Sequence, residues 1–145
     1  MIPKIIHYCW FGRGKMPELA QKCLDSWKKQ LPEYDYKLWN EDNFDINSVP
    51  YVKEAYEARK FAFVTDYVRL YALYHFGGVY MDTDVEVLKP LDRFLELPAF
   101  SGFESDKEIP KETGNLYLLS FQKNFGFHSS GELSDSFCLV FISHN

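Results

Sequence analysis

At 145 residues, with 46% hydrophobic and 18% aromatic content, the chain is long enough for one domain with a proper core and too apolar to be disordered. Sixteen basic against 21 acidic residues leave a net charge of −5, which argues against nucleic-acid binding through a basic surface. Cys9, Cys23 and Cys138 stand at no CxxC or metal-ligand spacing, and neither a signal peptide nor an 18-residue apolar run is present, so a cytoplasmic protein is expected, with peripheral association at the inner face of a membrane compatible with it.

Residues 2–11 (IPKIIHYCWF) read as a buried first strand that runs into the flexible turn Gly12-Arg13-Gly14-Lys15. The turn lacks the GxxxxGK[ST] spacing of a P-loop. Trp10 falls at the carboxyl end of this strand, where α/β sheets place ligands; a tryptophan buried in the core is the alternative. Pro17 suits the first position of a helix whose apolar face is Leu19, Ala20, Cys23, Leu24, Trp27 and Leu31, with Lys28 and Lys29 near its end and Pro32 stopping it. A second strand over 34–39 leads to the polar turn Asn40-Glu41-Asp42-Asn43. Strand, helix, strand in this order opens an α/β unit.

Residues 52–76 are predicted helical in two pieces. The first, 53–60, is amphipathic and polar. The second, 61–76, is apolar nearly all round and therefore expected to be largely buried, with Thr65 as a cap and Gly77 or Gly78 closing it. Asp66 and Arg69, three apart, share one face of this second piece. They make either an ion pair that neutralises itself or a grip for a polar ligand, because burying two charges merely to pair them is rarely the more stable choice.

From Val79 to Leu88 the pattern changes to strand alternation, which puts Asp82 and Asp84 on the same face at a separation of about 6.6 Å. Two carboxylates so placed form a hard oxygen site for Mg²⁺ or Mn²⁺, or simply the acidic outer face of a half-exposed strand. Lys89-Pro90 ends it, one or two helical turns follow over 91–97, and 99–103 reads as a further strand. Residues 105–115 are charged and Pro/Gly-punctuated, hence a loop. The short apolar runs 116–121 and 137–142 have no partners that the sequence identifies. The aromatic load (13 Phe, 10 Tyr, 3 Trp) exceeds what a small core needs, so some rings are expected on a ligand surface.

Three blocks, IPKIIHYCWFG, YKLWNEDNFD and FAFVTDYVRLYALYHFGGVYMDTDVEVLKPL, together resemble the DXD-motif sugar transferases. That group includes bacterial capsular-polysaccharide and lipopolysaccharide glycosyltransferases, initiating mannosyltransferases of fungi and the glucosylating domains of clostridial toxins. The resemblance implies a GT-A-like, Rossmann-like α/β sandwich with a mostly parallel sheet, which binds a nucleotide sugar. It implies metal-dependent hexosyl transfer, with retained configuration, from a nucleotide-sugar donor (UDP-hexose favoured) to a glycan or lipid-linked glycan acceptor in surface polysaccharide synthesis. By position, Trp10 matches the ring that stacks on the donor base, with Cys9 beside it in backbone contact. Asp66 and Arg69 match the pair that grips the hexose hydroxyls and the adjacent phosphate region, and Tyr80 a tyrosine lining the donor pocket. Asp82 matches the aspartate that reaches the ribose and a metal-bound water, and Asp84 the one that ligates Mn²⁺ or Mg²⁺; the two are the catalytic carboxylates of the set.

The chemistry of the residues agrees with these roles. A cation held by carboxylates stabilises charge developing on a diphosphate. Base stacking on an aromatic ring contributes about 1–3 kcal/mol, and Asp with Arg on one face can hold sugar hydroxyls. The resemblance covers residues 2–104, so the expected organisation is a donor-binding domain over 1–104 and a divergent or truncated segment over 105–145, making the GT-A-like fold C-terminally shortened. Two other readings compete: a nucleotide-sugar-binding remnant that does not turn its donor over, and a phosphatase of the haloacid-dehalogenase type with DxDx[TV]. Glu86 at the fifth position of that pattern counts against the phosphatase.

Overall fold

The computed structural model describes residues 1–103 and 116–121. Five strands form one sheet: β1 (Ile5–Cys9), β2 (Asp35–Trp39), β3 (Gly78–Met81), β4 (Ala99–Phe103) and β5 (Leu116–Phe121). Three helices accompany them: α1 (Glu18–Gln30), α2 (Pro50–Glu57) and α3 (Phe61–Phe76). The strand order is β2-β1-β3-β5-β4. β1 pairs in parallel with β2 and β3, whereas β5 runs antiparallel to both β3 and β4. The sheet is therefore mixed. Four of its five strands point the same way, with β5 running antiparallel between β3 and β4, in keeping with the mostly parallel sheet that the family resemblance implies.

Alternation along the strands sends successive side chains into two cores. Ile6, Val79 and Met81 join Leu24, Trp27 and Leu31 of α1 on one face. Cys9, Trp39 and Tyr80 join Val52 of α2 and Val64, Val68 and Ala72 of α3 on the other. This is an α/β sandwich with helices on both faces, the architecture that the family resemblance implies.

His7, fully buried, ties the parallel strands to the turn that enters β3. Its Nδ1 accepts from the Trp39 indole N–H at 3.1 Å, so the Nε2 proton donates to the Gly77 carbonyl at 2.8 Å. Gly77 closes α3 with φ +66 and its amide bonded to the Leu73 carbonyl. Gly78 follows with φ +99, and a Cβ there would meet the Ile5 carbonyl oxygen at 2.6 Å, so both the turn and the close approach to β1 require glycine.

Several expectations change. The strand expected over 79–88 stops at Met81; residues 82–84 form a turn closed by the Val85 amide on the Asp82 carbonyl at 3.1 Å. Beyond it, Val85, Val87 and Leu91 still point into the core, which produces the alternating pattern. Their backbone groups are met by α1 side chains instead of a strand: the Trp27 indole donates to the Val85 carbonyl at 2.6 Å, and the Val87 amide donates to Ser26 Oγ at 3.0 Å. Thr65 is not a cap; α3 starts at Phe61 after Lys60, and Thr65 lies inside it. The break between α2 and α3 is Arg59, at φ +57.

Nor is α3 buried all round, since Phe63, Leu70 and Tyr74 are 48%, 52% and 56% exposed along one stripe. On α1, Leu19 faces outward and Pro17 is the N-cap, one position earlier than expected. The apolar run 116–121, which had no visible partner, is the strand between β3 and β4. The loop expected over 105–115 and the run 137–142 lie outside the described residues. No helix among the described residues is long and apolar enough to cross a membrane.

Candidate functional site

The order β2-β1-β3 means that the chain leaves β1 toward one side for β2 and returns across it for β3. Such a reversal opens a crevice at the carboxyl ends of the two strands, where α/β sheets bind ligands. His7 pairs with Tyr80, so two residues further on Cys9 comes level with Asp82. The crevice is thus bordered by the ends of β1 and β3 and by the face of α3 that packs over them.

Cys9 is buried, and burial pushes its thiol up to about 12 despite contacts with Tyr80 and Thr65. So held, the sulfur is a poor nucleophile, and only the Cys9 backbone is suited to meet a ligand. Trp10 follows on a loop, half-buried, its backbone N–H on the Trp39 carbonyl at 2.9 Å and its indole N–H on the Gly14 carbonyl at 2.7 Å.

On α3, Arg69 donates to Asp66 in an ion pair, and the guanidinium also lies 5.4 Å from the centre of the Tyr80 ring. The Asp66 side chain is 48% exposed and that of Arg69 19%, so this is not the buried pair anticipated from an all-apolar helix. A half-exposed pair is weakly held and can exchange its internal bond for bonds to a ligand. Tyr80 is fully buried on the sheet beneath Arg69, and its hydroxyl donates to Asp82 Oδ1 at 3.0 Å. Tyr80 therefore reaches the crevice through Asp82.

Burial raises the Asp82 carboxyl above its ordinary range; Arg69 and the Tyr80 hydroxyl oppose this, and the neighbouring Asp84 adds to it. Asp84 is exposed on the turn. The two aspartates are consequently presented by a turn at the end of β3 and not by one strand face. No group of three or more His, Cys, Asp or Glu among the described residues is arranged to hold a metal. The donor set present, two carboxylates on one turn, is of the kind that binds Mg²⁺ or Mn²⁺ jointly with substrate phosphates and water.

One part of this arrangement escaped sequence reasoning. Glu41, in the polar turn after β2, accepts the Gly12 amide at 2.6 Å and the Tyr56 hydroxyl at 2.9 Å. It braces the loop that carries Trp10. Its place in the second family block was the available signal, and nothing in that block says what the acid holds.

Comparison with known proteins bears on the family and the fold. The family described as "Glycosyltransferase sugar-binding region containing DXD motif" matches residues 17–101. Inositol phosphoceramide mannosyltransferase 3 of Schizosaccharomyces pombe is 30% identical over 144 aligned residues, covering 88% of this chain and 39% of that protein. A mannosyl phosphorylinositol ceramide synthase of Saccharomyces cerevisiae is 35% identical over 108 residues, covering 69% of this chain and 27% of its own length. The chain thus spans well under half of the curated relatives it matches. Among solved structures, the PaToxG glycosyltransferase superposes with a TM-score of 0.58 over 85% of this chain and 56% of that one, at 18% identity, which establishes a shared fold. With the matched region holding both α3 and the Asp82-Thr83-Asp84 turn, this chain belongs to the glycosyltransferase family whose sugar-binding region contains the DXD motif.

Proposed function

We propose that the crevice binds a nucleoside-diphosphate hexose and that the chain transfers the hexose, with retained configuration, to a glycan or lipid-linked acceptor. The observation that carries this reading is the meeting of Cys9, Arg69, Tyr80 and Asp82 where the ends of β1 and β3 open beneath α3, with Asp84 on the adjoining turn. In it, Trp10 stacks on the base, Asp66 and Arg69 hold the hexose hydroxyls and the sugar-side phosphate, and Asp82 with Asp84 would hold Mn²⁺ or Mg²⁺. A cation bound there supplies Lewis-acid stabilisation to the departing diphosphate. Arg69 adds a fixed positive charge beside the same oxygens, and the buried Tyr80 hydroxyl holds Asp82 in one orientation. During transfer the bond from the anomeric carbon to the diphosphate oxygen breaks, a bond to the acceptor oxygen forms, and the proton of the acceptor hydroxyl passes to the departing diphosphate.

UDP-hexose and a surface-polysaccharide acceptor are the donor and setting first favoured. The names of the fungal relatives support mannose as the sugar and an inositol phosphoceramide as the acceptor class. An acceptor of that class would bring the chain to a membrane surface; the localisation proposed is cytoplasmic, with peripheral association at the inner face of a membrane. Calorimetry of UDP-glucose, UDP-galactose and GDP-mannose, with and without Mn²⁺, followed by transfer and hydrolysis assays, tests the reading. One donor is expected to bind tightly, with Mn²⁺ required. Binding without turnover selects the remnant reading, and no nucleotide-sugar binding under any condition overturns both.

A further inference from the structure

The loop Gly12-Arg13-Gly14 has no regular structure to hold it, yet it adopts a demanding conformation. Gly12 sits at φ +96 and Arg13 at φ +61, the second a left-handed backbone that a residue with a Cβ rarely adopts. Such a conformation is costly and persists only where its surroundings enforce it. The enforcing contacts come from three separate elements. From the turn after β2, Glu41 accepts the Gly12 amide at 2.6 Å, and its other oxygen lies 3.8 Å from Arg13 Nε. Asp42 beside it pairs with the Arg13 guanidinium at 2.7 Å. From α2, the Tyr56 hydroxyl donates to the same Glu41 oxygen at 2.9 Å. From α3, the Phe61 ring packs so closely that a Cβ on Gly12 would lie 2.6 Å from it, and Tyr56 meets Phe61 edge-on at 5.5 Å.

The Glu41 side chain is only 9% exposed, so its charge has few ways to be satisfied. Burial acts to raise its carboxyl; the Gly12 amide, its own amide, Tyr56 and Arg13 outweigh this and bring it below the ordinary range. Glu41 is ionised and fully engaged. What it holds is the loop that begins at Trp10, whose indole N–H is itself bound to the Gly14 carbonyl at 2.7 Å. Releasing Gly12 would free the chain on one side of the Trp10 ring and the acceptor of its N–H on the other.

We propose that Glu41 is a positioning residue for nucleotide recognition: by clamping the Gly12 amide between the turn after β2 and Tyr56 of α2, it fixes the loop that aims the Trp10 ring at the base. The inference rests on the reading of Trp10 as the stacking ring. Nothing about Glu41 requires it to touch the ligand. Its effect is entropic, since a loop already ordered loses less freedom when the base arrives.

The experiment uses the full chain and two probes, the tighter-binding of UDP and GDP, and pyrophosphate, each with Mn²⁺. Glu41→Ala is expected to weaken the nucleotide about tenfold while leaving pyrophosphate, which has no base, within about twofold. A general loss of structure would weaken both. Glu41→Gln, which keeps the acceptor oxygen, should restore nucleotide affinity to within about threefold of the parent. In the Glu41→Ala/Trp10→Ala double variant the loss should not exceed that of Trp10→Ala alone, because the two act through one ring. If Glu41→Ala does not fold, Tyr56→Phe takes its place, with about threefold weaker nucleotide binding expected and the same non-additivity with Trp10→Ala. Trp10→Ala weakening the nucleotide while the clamp variants leave it unchanged would overturn this inference and preserve the stacking reading. Losses that multiply in the double variant, or that appear equally with pyrophosphate, would overturn it too. Trp10→Ala without effect on the nucleotide would sink both.

Discussion

Asp82 and Asp84 are two residues apart and chemically alike, but the fold gives them different work. Asp82 is partly buried, accepts the Tyr80 hydroxyl at 3.0 Å and lies in the field of Arg69. Asp84 is exposed on the turn beyond the last hydrogen-bonded residue of β3. A carboxylate already bonded to a hydroxyl and lying in the field of a guanidinium is oriented, and losing its charge should weaken a ligand by about 1.5–3 kcal/mol, the range for a hydrogen bond to a charged group. An exposed carboxylate is the better first ligand for a cation that must also take phosphate oxygens and water. Asp84→Asn is therefore expected to remove the Mn²⁺-dependent part of donor binding, and Asp82→Asn to weaken binding with Mn²⁺ dependence retained. Titrations of each variant with and without Mn²⁺ distinguish the two roles. Unchanged affinity and unchanged Mn²⁺ dependence in Asp84→Asn would exclude it as a ligand.

At the scale of elements, His7 is the tie that matters most, because it joins β1, the end of β2 and the turn between α3 and β3. Burial lowers its imidazole to about 4; the Gly77 carbonyl opposes this, and Lys37 adds to the lowering. A second proton would have to go to Nδ1, which accepts the Trp39 N–H. The unfolded chain binds that proton below its ordinary pKa of 6.5 and the folded one does not until about 4, so the folded state loses ground as pH falls through this window. The loss should approach about 3 kcal/mol by pH 4. Urea unfolding at pH 7 and pH 4.5 should show it, with a smaller pH dependence in His7→Gln; an equal dependence in both would assign the effect to other groups. The elements themselves were legible where their pattern reflects local burial: both βα connections, the two-piece helix and its glycine stop follow from apolar period and turn residues. The run after Met81 misled because alternation reports which side chains enter the core, and there the backbone is satisfied by Ser26 and Trp27 of α1. β5 was illegible because its two neighbours are β3 and β4, and no local pattern names a partner in a sheet. Glu41 was illegible for the same reason, its partners lying 29 and 15 residues away.

For the whole molecule, the proposed site joins parts that have little else in common: the ends of two strands, the face of a helix and a braced loop. A ligand that spans them binds the folded chain and not the unfolded one, so it must raise the stability of the entire fold. The size of that rise depends on which parts the ligand reaches. In the proposed site Mn²⁺ alone would meet two carboxylates on one turn, and the described residues provide no third group beside them. A nucleoside diphosphate alone would meet Trp10 and Arg69 there but would bring its negative charge up to Asp82 and Asp84. Together, each would remove the obstacle to the other, because phosphate oxygens are good ligands for such a cation and its charge would offset the repulsion. The thermal shift produced by Mn²⁺ and nucleotide together should therefore exceed the sum of the shifts produced by each alone. At a nucleotide concentration of about 100 times its Kd the pair should add about 2.7 kcal/mol, or roughly 5–10 °C in a chain of this size. A full shift from Mn²⁺ alone would mean that the protein completes the metal site by itself, and a full shift from nucleotide alone would mean that binding does not need the cation. Either result would break the coupling between the Asp82-Thr83-Asp84 turn and the diphosphate on which the proposed transfer depends.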